Sequence, residues 1–206
     1  MITIYGAPNS RSTRILWCAE ELGIQYNFKP IDFSQGENQL EDYLVINPAG
    51  KTPAIVDGDF VLSESGAILD FLTLEYCSEE IKPNNKSCNR EKALCAKWCF
   101  FSLLELEGPL WTIAKHHVIY PEDKRQPSVI PICQEEFQKS LSVLSTALGE
   151  NLYILGETFS IADILIAHTL AWALSFGEEI PQTNLMNYVQ RCTSRPALFR
   201  AKQREL

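Results

Sequence analysis

The sequence predicts a two-domain α/β plus all-α chain: a small sheet with helices packed on it over residues 1–80, then an all-helical domain over 87–206. Three observations carry that reading. Strand-like runs alternate with helical stripes only in the first 78 residues. The stretch 79–88, with Pro83-Asn84-Asn85-Lys86-Ser87, has the composition of a linker. Beyond it the apolar residues keep helical spacing almost to the end.

Ile2–Tyr5 is a short strand. Residues 11–22 carry apolar side chains at 15, 16, 18, 19 and 22, a helical stripe, and Gly23 supplies a left-handed stop. Residues 26–33 are extended and aromatic, and Pro30 places them at a sheet edge. A short helix is expected over 38–46, ended by Asn47-Pro48. Two strands, 53–56 and 60–62, flank the hairpin signal Asp57-Gly58-Asp59. Ser65 to Tyr76 is helical again. In the second half, helices are expected over 89–107 (broken or kinked by Gly108-Pro109), 130–148, 161–176, 184–192 and 197–204.

Composition narrows the function classes. The chain has 206 residues, 46% hydrophobic and 21% charged, so it can bury a core without disulfide or metal staples. Its net charge of −8 disfavours nucleic acid as a partner, since phosphate neutralisation needs a basic face. The first 78 residues hold 4 basic and 11 acidic side chains, which makes Lys51 conspicuous. No apolar run of about 18 residues marks a membrane span, and the strand directly after Met1 is unlike a signal peptide. Seven cysteines at irregular spacing, without a CxxC, read as buried apolar side chains in a reducing cytoplasm. Three histidines without ligand spacing predict no metal.

Three loops can carry chemistry. Gly6-Ala7-Pro8-Asn9-Ser10-Arg11-Ser12-Thr13-Arg14 joins the first strand to the first helix, whose N-terminus favours a thiolate or phosphate. Ser10 or Ser12 there is either a plain N-cap or a hydroxyl that donates to an anion. Asn47-Pro48-Ala49-Gly50-Lys51-Thr52-Pro53 places a proline just before a strand. It is an ordinary X-Pro turn or a cis bond presenting the Thr52 peptide groups to a ligand. Leu62-Ser63-Glu64-Ser65-Gly66-Ala67-Ile68 opens a helix, as a simple cap or as a site for an ammonium and a carboxylate.

In order and spacing these three loops resemble the thioredoxin-like N-terminal domain of the cytosolic glutathione transferases. The resemblance extends over the whole chain, because Phe159-Ser160-Ile161-Ala162-Asp163-Ile164 looks like the family's sixth-helix motif. Physically that motif is a capping box, Ser160 to Asp163, with Phe159 able to staple to Ile164. The match is to bacterial, serine-type members. It implies the glutathione transferase fold and Ser10 as the catalytic hydroxyl, with Ser12 as the alternative. It implies glutathione as co-substrate and no permanently bound cofactor. Lys51, Thr52, Pro53, Glu64 and Ser65 are implied glutathione contacts, with Gln39 helping from the second-helix region. Trp111 and His117 are implied contacts of a hydrophobic electrophile, although packing explains a tryptophan and a histidine there as well. His168, inside an apolar helix, reads as a core histidine.

The resemblance further implies a cytoplasmic detoxifying homodimer, with Phe100, Phe101, Leu103 and Leu104 as surplus apolar surface. Conjugation, peroxide reduction and ligand storage stay open. The rival is a non-catalytic binding or regulatory protein on the same fold, like the stringent starvation protein; it predicts a degraded glutathione site, whereas Lys51-Thr52-Pro53 and Glu64-Ser65 are intact.

Overall fold

The computed structural model describes residues 1–76 and 89–206. The expected linker at 79–88, and with it Cys77 and Cys88, lies outside the described residues. The chain divides into two units, Met1–Asn85 with Ser194–Leu206, and Lys86–Thr193.

The first unit is built on a four-stranded sheet in the order β2-β1-β3-β4, with β1 Ile2–Gly6, β2 Tyr26–Pro30, β3 Ala54–Asp57 and β4 Phe60–Ser63. β2 runs parallel to β1, and β3 and β4 are antiparallel neighbours. Pro30 closes the edge strand β2, where its missing N–H costs no ladder bond. Gly58 turns the β3–β4 hairpin at φ 62°, a backbone angle other residues rarely adopt.

Helix α1 spans Ser12–Leu22 and stops at Gly23, φ 66°. Ser12 through Ala19 are all buried, because α1 packs against β1, α3 (Ser65–Tyr76) and α9 (Pro196–Arg204) together. The expected helix at 38–46 is shorter. Two 3-10 turns, Phe33–Gln35 and Glu37–Gln39, precede α2 at Glu41–Leu44. Gly36 at φ 71° and Leu40 in an extended conformation interrupt the helical path there.

Helix α9 groups with this unit, whereas the sequence boundary assigned 87–206 to one helical domain. Its apolar residues Ala197, Leu198 and Ala201 are buried, and its basic residues meet the acidic end of α1. Arg195 Nε and Nη2 donate to Glu21 at 2.6 and 2.8 Å, and Arg200 Nε donates to Glu20 at 2.7 Å. Half-exposed pairs of this kind contribute about 0.2–1 kcal/mol each, so the buried apolar stripe does most of the holding.

In the second unit α4 covers Asn89–Phe101 and α5 covers Glu107–Ala114. Gly108-Pro109 does not break the run. A π-helical turn, Ser102–Leu106, lies directly before it, and a second, Lys115–Ile119, follows α5. Pro109 brings a ring and no N–H; the wider turn next to it supplies the room that a regular helix lacks. Then come α6 (Ile130–Leu148), α7 (Ile161–Ser175) and α8 (Thr183–Thr193). α7 is buried nearly all round and packs on α4 and α8. Its capping box is formed. Asp163, fully buried, accepts from the Ser160 and Ile154 amides and from the Ser160 and Tyr188 hydroxyls, all at 2.7–2.8 Å. Burial pushes its carboxyl upward and these four donors pull it back. Phe159 meets the Tyr153 ring edge-on, with centroids 5.3 Å apart. Among the described residues no helix is long and apolar enough to cross a membrane.

Candidate functional site

Sheet topology brings the three loops together. Tyr5 stands opposite Ala54, and Ala54 opposite Ser63. The outgoing end of β1, the incoming end of β3 and the outgoing end of β4 therefore lie at one end of the sheet. The loops that carry Ser10, Lys51–Pro53 and Glu64–Ser65 all leave from that end.

Ser10 precedes α1 and is half-buried. Its hydroxyl lies 2.6 Å from the Ala7 carbonyl and 3.0 Å from Ser12 Oγ, and it accepts the Ser12 amide at 3.1 Å. With one proton it can donate to one acceptor at a time, so donation to a ligand means leaving the Ala7 carbonyl. Ser12 is fully buried. Its Oγ accepts the Ala7 amide at 3.2 Å, and a Cβ at Gly6 would come within 2.5 Å of Ser12 Cβ. The pair Gly6 and Ser12 is thus a close approach of helix to strand. Neighbouring Asn9 holds a left-handed backbone at φ 53°.

The Thr52-Pro53 peptide is cis, one residue before β3. Thr52 is half-buried and Pro53 buried. The Lys51 carbonyl accepts from the Tyr43 hydroxyl and the Asn47 side-chain amide, both at 2.6 Å. Its ammonium-bearing side chain is exposed. Burial pushes the Tyr43 phenol up to about 12, so it stays a neutral donor. Asn38 Nδ2 donates to the Gly50 carbonyl at 2.8 Å, and the Gln39 side-chain amide lies where a Cβ at Gly50 would fall. The structure therefore brings Gln39, which is exposed, beside the Gly50-Lys51 turn.

Glu64 adopts φ 72° and is exposed. Ser65 opens α3, is buried, and its hydroxyl accepts from Arg14 Nη1 at 3.3 Å. Arg14, fully buried, was not singled out in the sequence, where it reads as one polar position of an amphipathic helix.

Trp111 and His117 belong to the second unit. Trp111 is half-buried on α5, and His117 is exposed with its ring edge-on to Phe176 at 5.9 Å. His116 accepts the Gln126 amide at 3.1 Å through Nδ1. His168 is half-buried. Among the described residues no three His, Cys, Asp or Glu side chains are grouped to hold a metal, and Cys18, Cys95, Cys99, Cys133 and Cys192 form no disulfide.

The family model for the glutathione S-transferase N-terminal domain matches residues 1–73, and that for the C-terminal domain matches residues 110–196. The chain is 30% identical over 212 residues to the disulfide-bond oxidoreductase YfcG of Escherichia coli (strain K12), covering 98% of this chain and 94% of the relative. It is 31% identical over 173 residues to the "probable glutathione S-transferase GSTF2" of Oryza sativa subsp. japonica, covering 78% and 75%. Among solved structures, a theta class glutathione S-transferase from Xanthomonas axonopodis pv. citri, with glutathione bound, aligns with a TM-score of 0.79 at 28% identity over 97% of this chain and 96% of the other.

Proposed function

The chain belongs to the glutathione S-transferase family, and from that premise we propose that it binds glutathione, holds its thiolate at Ser10, and transfers it to a hydrophobic electrophile. The observation that supports this most is that the Ser10, Thr52-Pro53 and Glu64-Ser65 loops leave from one end of the sheet. Thr52 pairs with the cysteinyl backbone of glutathione. Glu64 and Ser65 hold the γ-glutamyl end, and Lys51, with Gln39 beside it, faces the glycine carboxylate. Ser10 is preferred to Ser12 because Ser12 is buried against Gly6. Trp111 and His117 contact the electrophile.

A thiol titrates near 8.5 when free, so lowering it by about two units takes about 2.7 kcal/mol of selective thiolate stabilisation. A charge-assisted hydrogen bond supplies about 1.5–3 kcal/mol, and the N-terminus of α1 about 0.3–1 kcal/mol. No protein base is needed: the thiol proton leaves to solvent before the sulfur attacks.

The test is a calorimetric titration with glutathione followed by turnover with chlorodinitrobenzene; absence of binding at millimolar concentration would overturn the reading in favour of a non-catalytic interaction protein. Lys51→Ala is expected to weaken glutathione binding about 1.5–5-fold, the worth of one exposed ion pair. An unchanged affinity removes Lys51 from the site. The same chemistry also fits a disulfide as electrophile, a second reading supported by the E. coli relative's name over 98% of this chain. There the thiolate displaces one thiol to form a mixed disulfide, and a second glutathione releases the other with glutathione disulfide. Faster turnover of hydroxyethyl disulfide than of chlorodinitrobenzene would select it. We also propose a homodimer, on the exposure of Phe100 and Leu104; light scattering of the eluted protein at the monomer mass would exclude it.

A further inference from the structure

We propose that Glu205 is a positioning residue for Ser10, clamping the turn that carries it from both sides; the proposal rests on the thiolate-holding role given to Ser10 above. Glu205 follows the last turn of α9. Its Oε1 accepts the Thr13 hydroxyl at 2.5 Å and its Oε2 accepts the Asn9 amide at 3.3 Å. One carboxylate therefore ties the residue just before Ser10 to the first turn of the helix just after it. Asn9 sits at φ 53°, a left-handed conformation that asparagine adopts more readily than most residues, and it turns the Asn9 amide toward Glu205. Thr13 is buried, so the Oε1 bond is half sheltered from water. α9 is held along α1 at its other end by Arg195 on Glu21 and Arg200 on Glu20, so Glu205 arrives on a fixed rod rather than a loose tail.

The carboxylate has two effects of opposite sign on a thiolate at Ser10. As a clamp it keeps the Ser10 hydroxyl aimed, which lowers the thiol pKa. As a negative charge near the same helix N-terminus it opposes a second negative charge, which raises it. Glu205→Gln removes the charge and one of the two acceptor oxygens; Glu205→Ala removes the charge and both acceptors. Arg200→Ala removes one exposed ion pair and leaves Arg195 on Glu21 and the buried stripe to hold α9, with the Ser10 turn untouched.

The experiment is a pH titration of thiolate absorbance in glutathione complexes of the full chain for wild type and these three variants. It is paired with amide hydrogen exchange over residues 6–14 without ligand. Glu205→Ala is expected to raise the thiol pKa by about 0.5–1 unit and to speed exchange in the turn several-fold. Glu205→Gln, which keeps one arm of the clamp, is expected below Glu205→Ala, and Arg200→Ala at the wild-type value. Thr13→Val, which removes one donor and leaves Glu205 in place, is expected between wild type and Glu205→Ala, and it serves if Glu205→Ala folds poorly. Superimposed titrations for wild type and Glu205→Ala, or an equal shift in Arg200→Ala, would overturn the positioning role. If the wild type holds no glutathione thiolate, the transferase reading is what fails. The exchange data then decide the clamp alone, with unchanged exchange in Glu205→Ala overturning it.

Discussion

Replacing Ser10 with Ala is expected to raise the thiol pKa of bound glutathione by about one unit and to cut the conjugation rate about tenfold at pH values below that pKa. The size follows from what the hydroxyl gives up. In the ligand-free protein it donates to the Ala7 carbonyl, a neutral bond worth about 0.5–1.5 kcal/mol net. Donation to a thiolate is worth about 1.5–3 kcal/mol. The difference, about 1–1.5 kcal/mol, is about one pKa unit. Glutathione affinity should change little at low pH, because the peptide and carboxylate contacts are untouched. The rate deficit should shrink as pH rises and vanish once both thiols are ionised. That convergence separates loss of thiolate stabilisation from mere misplacement of glutathione, which would depress the rate equally at every pH. A titration that does not move would transfer the role to the backbone donors at the start of α1. The variant also loses an acceptor for the Ser12 amide, a bond worth about 0.5–1.5 kcal/mol, so a melting curve must accompany the kinetics.

The turn that carries Ser10 has two features the sequence shows unequally. That a serine stands where a strand hands over to a helix is legible, because Gly6 and the apolar stripe from Ile15 mark both boundaries. That Ser12 is sealed against Gly6 is not, since two serines two residues apart look alike until the helix is laid on the sheet. The same contrast holds across the fold. The ends of α6 and the stop at Gly23 follow from local chemistry and stand where periodicity puts them. In the stretch 38–46 the helix forms only over Glu41–Leu44, because Leu40 takes an extended conformation a helix cannot continue through. Gly108-Pro109 misleads for the opposite reason, as the π turn before it absorbs a proline that a regular helix would reject. The helix α9 stands where the sequence put it, but its packing on α1 and the contacts of Glu205 were least legible. A basic amphipathic segment near the chain end reports that it has an apolar face, and nothing in it names α1 as the surface that covers that face.

Asp163→Ala is expected to lower stability by about 3–5 kcal/mol, the usual cost of leaving a buried, fully engaged carboxylate's partners without it. For a chain of this size that is a fall in melting temperature of about 6–20 °C. Asp163 is an acceptor for four donors drawn from three places: Ser160 at the cap, Ile154 in the preceding loop, and Tyr188 on α8. A capping box alone accounts for about 0.5–2 kcal/mol, so a loss confined to that range would show that the Ile154 and Tyr188 bonds add nothing. Tyr188 and Asp163 are both buried, and the tyrosine hydroxyl left behind has no water to turn to. Asp163→Asn keeps one oxygen and turns an amide toward donors, so it should fall between alanine and wild type. Tyr188→Phe removes one donor and leaves the box intact, and is expected to cost about 1–2 kcal/mol. The double variant Asp163→Ala with Tyr188→Phe should then be less destabilised than the sum of the two, because both changes remove the same Tyr188–Asp163 bond. Glutathione affinity of the folded fraction should be unchanged throughout, since Asp163 lies in the second unit and the Ser10, Lys51–Pro53 and Glu64–Ser65 loops in the first. A parallel loss of affinity in fully folded Asp163→Ala would mean that the cap of α7 also shapes the glutathione site, and the strictly structural role given to it here would fail.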